Sequence, residues 1–320
     1  MYRIMKSTNN GMDELELDSL EKGCWIDIVS PSPEELHEVA DATGIQMDFL
    51  SAALDDEEKS RIETEDDQIL TLIDIPVLRS NKDYDTLPLG IIVSADYIVT
   101  VCLEPNAVIA DFSSYNYKMF STFKKTRFLF QILYKSATLY LKYIRIIIKR
   151  TDELEQHLRK SMENSELFNM LDLQKSLTYF TTSLRSNYIV TEKLLRLRST
   201  NQSAHLIKLY EEDEDLLEDV IIEYKQAIEM VEMYSHILNS MMEVFASIIS
   251  NNLNLVMKFL ASVTIILAIP TTIGGLWGMN VPVPLSDSPY GFLVIGGTSL
   301  LVAGLPATGC GNAACFKEQQ

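Results

Sequence analysis

The spacing of apolar residues changes at about residue 105. Before it, β-branched and aromatic residues fall in short runs at 24–30 (CWIDIVS), 68–78 and 89–103. Asn, Asp and Pro bound these runs, and because such residues interrupt extended chain, each run predicts a strand. Beyond residue 105, apolar residues recur at steps of three and four, which is the spacing of one helix face.

A helix is predicted between the first two of these runs. The stretch SPEE at 32–35 places a serine ahead of a proline and two acidic residues. The serine can accept a hydrogen bond from the first helical turn, and the acids suit the positive end of the helix dipole. We expect this helix to run to Gly44 and residues 1–105 to form an α+β domain.

Helix breakers are missing from the central part of the chain. No Gly or Pro occurs between Asn106 and Ile269, and such a segment favours a few long helices. Polar clusters at 162–167 and 198–205 supply the turns. The predicted helices lie near 111–162, 166–199 and 206–276, the last about 100 Å long at ~1.5 Å per residue.

Two charge-free apolar segments near the C-terminus have the length of membrane spans. They are residues 259–277 and 290–309, and about 20 apolar residues cross the hydrocarbon core of a bilayer. The link between them is too short for a domain, so they predict a helical hairpin in the lipid bilayer. The predicted regions are 1–105, 106–253, 254–277 (first transmembrane helix), 278–289, 290–309 (second transmembrane helix) and a tail, 310–320.

The formal net charge is −18, and much of it lies in the first 104 residues. An acidic chain is unsuited to nucleic acid, whose phosphates bind Lys and Arg. A negative potential instead favours cations as partners. The same acidic residues also serve solubility, and charge alone does not separate the two roles.

Residues that perform catalysis or bind nucleotides form no recognisable pattern. Cys24, Cys102, Cys310 and Cys315 are scattered, and the four histidines show no ligand spacing. No P-loop, GxGxxG or Ser-His-Asp order occurs, and the N-terminus lacks the apolar run of a signal peptide. We therefore expect reduced thiols, a cytosolic main body and no enzyme activity.

The first apolar span is followed by Gly278-Met279-Asn280. A Gly-Met-Asn tripeptide that closes the first of two C-terminal spans, after a long unbroken helix, resembles the CorA family of divalent cation transporters. The resemblance covers nearly the whole chain and includes the WIDI strand, the PSPEEL helix and NNLNLVMKFLASVTIILAIPTTIGGLWGMN. It implies a homopentamer with a funnel-shaped cytosolic part, a pore lined by the first span, and transport of Mg²⁺, with Co²⁺ or Ni²⁺ as further cargo.

The tripeptide suits recognition of a hydrated ion. Mg²⁺ holds its water tightly and keeps several waters when bound. A ring of neutral Asn280 carbonyl oxygens would recognise that water shell without trapping the ion as carboxylates would. Gly278 would let the backbone turn at the pore mouth, and Met279 would pack to hold the turn. The alternative role for Asn280 is a helix C-cap, a common use of Asn.

Part of the first span forms a candidate pore face, because its members recur at steps of three and four. By resemblance, Asn254 forms a second polar ring, and Met257 and Leu260 form a constriction that closes the pore by dewetting. The alternative for Met257 and Leu260 is ordinary packing between helices. Glu243, about three turns before Asn254, would concentrate cations at the cytosolic entrance, although an exposed helical Glu is common. The predicted pore face comprises Glu243, Asn254, Met257, Leu260, Thr264, Ala268 and Thr271.

The resemblance also implies that Mg²⁺ bound between cytosolic domains closes the pore, so Mg²⁺ is both cargo and regulator. Ungapped alignment from the tripeptide places Asp219 at the position of a sensor acid, inside an acidic run that alternatively forms a solvated face. The partner acids of the family fall on Ser51 and Ala52 here, with Asp55 and Asp56 one turn further on. Whether Mg²⁺ sensing survives this departure is open from the sequence.

Two other functions stay open. A Zn²⁺ transporter of the same superfamily would share the architecture, but the His or Cys ligands that favour Zn²⁺ do not occur between 243 and 289. A membrane-anchored helical scaffold or signalling protein would explain the long helices but not the polar residues of the first span, which are costly against lipid. The sequence does not rank Mg²⁺, Co²⁺, Ni²⁺ and Zn²⁺, nor does it give the direction of flux or any proton coupling.

The loop at 278–289 predicts the orientation in the plasma membrane. It has no Lys or Arg and contains Asp287, which suits an extracytosolic position. The acidic body and both termini would then be cytosolic, with Lys258 and Lys317 flanking the two spans. Family members usually end in a basic run, whereas this chain ends GCGNAACFKEQQ, and the sequence does not tell whether that tail is native.

Overall fold

The computed structural model divides the chain into two compact units, Met1–Met241 and Met242–Gln320. The first unit contains a sheet with helices on both of its faces, and the second contains the end of the longest helix and the helix that follows it. The structure describes residues 1–8, 11–79, 83–112, 120–161, 164–197, 206–207, 210–285 and 288–312.

The sheet of the first unit has the strand order β2-β1-β3-β7-β6-β5-β4, defined by the bounds given below. The central β3–β7 pair is parallel, and the other neighbouring pairs are antiparallel. Such a mixed sheet has a buried centre and more polar edges. The strands are β1 (Tyr2–Thr8), β2 (Gly11–Leu15), β3 (Trp25–Val29), β4 (Arg61–Glu65), β5 (Gln68–Leu78), β6 (Tyr84–Ser94) and β7 (Ile98–Cys102).

The predicted α+β class is confirmed, and so are the strands expected at 24–30 and 68–78. The run at 89–103 is two strands rather than one, because a turn joins β6 to β7. In that turn the Ser94 N–H donates to the Tyr97 carbonyl at 3.0 Å. Strands β1, β2 and β4 were not predicted from the sequence, because polar residues occupy much of their length.

The helix predicted after the first strand is confirmed as α1 (Pro33–Thr43). Ser32 Oγ accepts from the Glu35 N–H at 3.3 Å, and the Glu35 carboxylate accepts from the Ser32 N–H at 2.9 Å. This reciprocal cap satisfies two otherwise free donors. Gly44 ends the helix with φ of 70°, a left-handed conformation that glycine adopts without steric cost. Together with α2 (Met47–Ser51), α1 covers one face of the sheet.

The other face carries the longer helices, and one predicted boundary there is wrong. The helix expected from residue 111 begins at Lys125. Phe112 and Phe120 pack at right angles to the Trp25 ring, and Thr122 exchanges hydrogen bonds with Ser7 on β1. These tertiary contacts hold residues 111–112 and 120–124 off the helical path even though no breaker occurs there. The helices are α3 (Ala107–Ala110), α4 (Lys125–Ser161), α5 (Asn164–Leu197), α6 (Glu211–Trp277) and α7 (Gly291–Asn312).

A buried polar chain explains the WIDI strand. The Trp25 indole N–H donates to Thr100 Oγ1 at 2.9 Å, and the Thr100 hydroxyl donates to the Asp27 carboxylate at 3.0 Å. Arg3 from β1 forms an ion pair with the second Asp27 oxygen at 2.8 Å. Burial raises the pKa of Asp27, and the bonds from Arg3 and Thr100 act in the opposite direction. Three neighbouring strands are thereby joined through side chains as well as through the backbone.

Asn187 joins α5 to the sheet where β4 ends. The β4–β5 pairing stops at Arg61 and Leu72, so the backbone of Asp74 has no strand partner on that side. The fully buried Asn187 amide replaces it: its Nδ2–H donates to the Asp74 carbonyl at 2.6 Å, and its Oδ1 accepts from the Asp74 N–H at 2.9 Å. The same oxygen accepts from the Ser60 hydroxyl at 3.1 Å.

We expect Asn187→Ala to destabilise the first unit by about 2–4 kcal/mol, because it leaves buried donor and acceptor groups unpaired. The melting temperature of the purified chain, followed by circular dichroism, should fall by about 5–15 °C. Asn169→Ala is the matched control, since Asn169 is exposed on the same helix. Equal melting temperatures for Asn187→Ala and the control would contradict this role.

Candidate functional site

The second unit contains the candidate ion pathway. Among the described residues, α6 is long and apolar enough to cross a membrane, and α7 has a shorter apolar stretch, Gly291–Gly304. The last predicted helix, 206–276, is found as Glu211–Trp277. The predicted second span begins as expected, because α7 starts at Gly291.

Every residue of the predicted pore face is exposed in the single chain. The apolar pair is included: the side chains of Met257 and Leu260 are 56% and 57% exposed. Neither residue therefore packs within the described part of the chain. A face that combines polar and large apolar residues, all uncovered, is suited to contact with water and with further copies of α6.

The face of α6 that is partly covered in the chain lies opposite the predicted pore face. An α-helix has about 3.6 residues per turn. By that spacing, the half-buried positions of the membrane span lie about half a turn around α6 from the pore face. At its end, Trp277 approaches Gly291 at the start of α7. The chain thus covers one side of the helix and leaves the pore side open. The half-buried positions are Ser262, Val263, Ile266, Ile269, Pro270, Ile273 and Trp277.

The polar residues of the pore face present oxygen acceptors. The hydroxyl of Thr264 donates to the Leu260 carbonyl, and that of Thr271 donates to the Leu267 carbonyl, each at 2.8 Å. Because each proton is engaged by the backbone, the hydroxyl oxygens have lone pairs left to accept from water. The waters around a divalent cation direct their hydrogens outwards, so these oxygens suit a hydrated ion.

The Gly-Met-Asn tripeptide directly follows α6. The Gly278 N–H donates to the Gly274 carbonyl at 2.9 Å and completes the last turn. A Cβ on Gly278 would lie 3.2 Å from that carbonyl oxygen, so a side chain here would be crowded against the last turn of α6. Gly278 is absent from the positions of positive φ, so it does not supply a left-handed turn.

Asn280 does not cap the helix in this chain. Its side chain is exposed and forms no hydrogen bond with any residue that the structure describes, and it does not adopt the left-handed backbone of a C-cap. Met279 is 53% exposed. The predicted packing of Met279 against the turn stays a prediction. Trp277 and Gly291, to which the sequence assigned no role, meet at this turn.

The candidate acidic residues lie on the surface. Glu243 and Asp219 are exposed on α6, and neither forms an ion pair with the described residues. Ser51 is exposed at the end of α2, whereas Ala52 is buried. Across the described part of the chain, no group of three or more His, Cys, Asp or Glu side chains is placed to hold a metal ion. Asp287 and Lys317 lie outside the described residues.

A family model and known proteins match this chain over most of its length. The model for the CorA-like Mg²⁺ transporter protein matches residues 21–308. The chain is 30% identical over 294 residues to the cobalt/magnesium transport protein CorA of Methanocaldococcus jannaschii, covering 89% of this chain and 88% of that protein. The complete structure of the CorA magnesium transporter from the same organism has a TM-score of 0.82 and 25% identity, and the match covers 99% of each chain.

A more distant structure shares the fold alone. The cytoplasmic domain of ZntB from Vibrio parahaemolyticus has a TM-score of 0.59 at 13% identity, covering 79% of this chain and 97% of that one.

The family model and the Methanocaldococcus relative span both the sheet domain and the apolar helices. The chain belongs to the CorA-like Mg²⁺ transporter family.

Proposed function

We propose that this chain carries Mg²⁺, and also Co²⁺, across the plasma membrane through a pore lined by α6. The observation that carries the proposal is the uncovered Asn280 amide beyond the end of an uncovered polar and apolar helix face. One copy cannot enclose a pore with one pore-facing helix. We therefore propose a homo-oligomer, a pentamer by family resemblance, with its termini in the cytosol.

The chemistry of the proposed filter is recognition of an ion with its water shell. Mg²⁺ releases its water reluctantly, so a fast pathway benefits from hydrogen bonds to the shell instead of direct coordination. Asn280 would provide a ring of neutral acceptors at the outer mouth. Thr271 and Thr264 would provide further acceptors along the pore, because their protons are engaged by backbone carbonyls.

Closure is proposed to occur at the apolar pair Met257 and Leu260. A ring of large apolar side chains disfavours water at short range, so a small inward shift would empty the pore. Asp219 is the proposed regulatory residue. Because the described part of one chain holds no metal cluster, a regulatory Mg²⁺ at Asp219 would take further ligands from a second copy.

The test is Mg²⁺ influx into liposomes that contain the purified oligomer and an internal Mg²⁺-sensitive dye. The proposal requires influx that depends on the protein and is lost in Asn280→Ala. Repeating the assay with Zn²⁺, with and without a proton gradient, distinguishes the zinc alternative. A folded oligomer that passes no divalent ion would contradict the transport proposal and favour a scaffold.

We expect Glu243→Gln to reduce influx at low ionic strength by about two- to fivefold. A ring of carboxylates at the entrance raises the local cation concentration, and salt screens this effect. The difference from the wild type should shrink at 0.5 M monovalent salt. Glu223→Gln, which removes the same charge about 200° around α6 from Glu243, is the control and should leave influx unchanged. A deficit that persists at high salt would contradict an electrostatic role.

A further inference from the structure

The turn that contains Asn280 is closed by a hydrogen bond. Trp277 is the last residue of α6, and its indole N–H donates to the Pro284 carbonyl at 3.1 Å. The bond therefore joins the two ends of the segment in which Asn280 lies. Pro282 and Pro284 restrict the backbone between these ends, so a single side-chain bond is enough to limit the conformations of the loop.

Gly291, the first residue of α7, completes this closure. A Cβ at Gly291 would clash with the Leu285 carbonyl oxygen and would lie 3.2 Å from Cζ2 of Trp277. The absence of a side chain thus lets the loop backbone and the indole ring approach the start of α7. The Gly291 N–H also donates to the Ser288 carbonyl at 3.0 Å. Leu285 has φ of 70°, a conformation that a leucine adopts only where its surroundings enforce it.

The residues next to Asn280 give its side chain little support. Met279 and Val281 are each 53% exposed. Asn280 forms no hydrogen bond with the residues that the structure describes. The position of the Asn280 amide relative to α6 therefore depends on the contacts of Trp277 and Gly291.

We propose that Trp277 and Gly291 form a clamp that positions Asn280 for the hydrated cation. The inference rests on the proposed function, because it assigns a role only if Asn280 recognises the ion. Trp277 and Gly291 are positioning residues: they hold the loop from inside the single chain and do not contact the ion. The clamp sets how well the Asn280 ring fits the water shell.

The test is Trp277→Phe in the full-length chain, since phenylalanine keeps a ring but removes the N–H donor. The Mg²⁺ concentration that gives half-maximal influx into liposomes should rise about threefold to tenfold, the equivalent of one lost hydrogen bond. Maximal influx should stay within about twofold of the wild type, because the pore itself is intact. A purely structural role would instead lower maximal influx with the amount of folded oligomer and leave the half-maximal concentration unchanged, and that result would overturn the proposal.

Gly291→Ala provides an independent test of the clamp from its other side. It should raise the half-maximal concentration as Trp277→Phe does, because the added methyl group displaces the loop and the indole. Gly297→Ala is the matched control: it lies in the same helix, and no atom lies within 4 Å of the Cβ it would add. The control should behave as the wild type. If Gly291→Ala also behaves as the wild type, the proposal is overturned.

Asn280→Ala, measured alongside, distinguishes failure of the clamp from failure of the proposed function. If Asn280→Ala lowers influx while both clamp variants match the wild type, the clamp alone is wrong. If Asn280→Ala leaves influx unchanged, the proposed filter is wrong, and the positioning role proposed for the clamp is wrong with it. If neither clamp variant assembles into an oligomer, the clamp is a folding element and the positioning proposal is overturned.

Discussion

Asn280→Ala is expected to reduce Mg²⁺ influx about a hundredfold or more. Each copy would lose one carbonyl that accepts from the water shell, and a neutral hydrogen bond contributes about 1 kcal/mol. Because the filter is a ring, one substitution removes several such bonds at once, and each ~1.4 kcal/mol corresponds to a factor of ten. The measurement is the initial rate of influx into liposomes with matched amounts of oligomer.

Two further variants show whether the loss is specific. Asn252→Ala removes an exposed amide on α6 that lies about 200° around the helix from Asn254, and it should leave influx unchanged. Asn280→Asp should retain binding, lower the half-maximal Mg²⁺ concentration and slow the maximal rate, because a carboxylate ring holds the cation more tightly. If Asn280→Ala passes Mg²⁺ as fast as the wild type, Asn280 is an ordinary loop residue and does not form the filter.

Leu260→Asn is expected to keep the pore conducting under conditions that close the wild type. The Leu260 side chain is 57% exposed on the pore face, and in the oligomer a ring of such side chains would exclude water. An amide at this position forms hydrogen bonds with water, so the constriction should stay wet. In liposomes loaded with millimolar Mg²⁺, residual influx should rise about tenfold over the wild type, since a shift of ~1.4 kcal/mol in the gating equilibrium changes the open fraction by that factor.

Phe259→Asn is the control for the constriction. Phe259 is 66% exposed, but it lies a quarter turn or more away from the pore face, so its substitution should not wet the pore. Residual influx that rises equally in both variants would indicate general damage to the membrane unit. Residual influx that does not rise in Leu260→Asn would place the closure elsewhere.

The long helices and the membrane hairpin could be predicted because their signals are local. A segment without Gly or Pro from Asn106 to Ile269 indicates helix by composition alone, and charge-free runs indicate spans by length. The pore face follows from steps of three and four along one helix. Its exposure in the structure agrees with that periodicity, although the roles of the individual pore residues stay predictions.

The start of α4 and the edge strand β4 could not be predicted, because both depend on contacts between distant parts of the chain. No local signal shows that Thr122 pairs with Ser7 and delays α4 to Lys125. The edge strand β4 was missed because four of its five residues are polar and its register depends on β5. Polar edge strands of this kind carry weak periodic signals, because pairing with a neighbour decides their conformation.

At the candidate site, the conformation of the loop after α6 also depends on contacts between distant parts of the chain. The tripeptide is visible in the sequence, but the hydrogen bond that ties its turn comes from the flanking Trp277. A tryptophan next to the tripeptide and a glycine opening the second span were the available signals. Neither is informative alone, because their contact forms only when α7 folds back beside α6.

The measurement that tests the central claim most directly is competition between Mg²⁺ and cobalt(III) hexaammine, whose six ligands do not exchange on the time scale of transport. A filter that recognises the intact water shell through neutral acceptors should bind this complex, because it presents outward N–H donors at the size of a hydrated ion. We expect competitive inhibition of Mg²⁺ influx in wild-type liposomes. In a variant that retains measurable influx but has a displaced Asn280 amide, such as Trp277→Phe, inhibition should weaken in step with Mg²⁺ affinity. Influx that the complex does not inhibit would contradict recognition of the hydrated ion by Asn280.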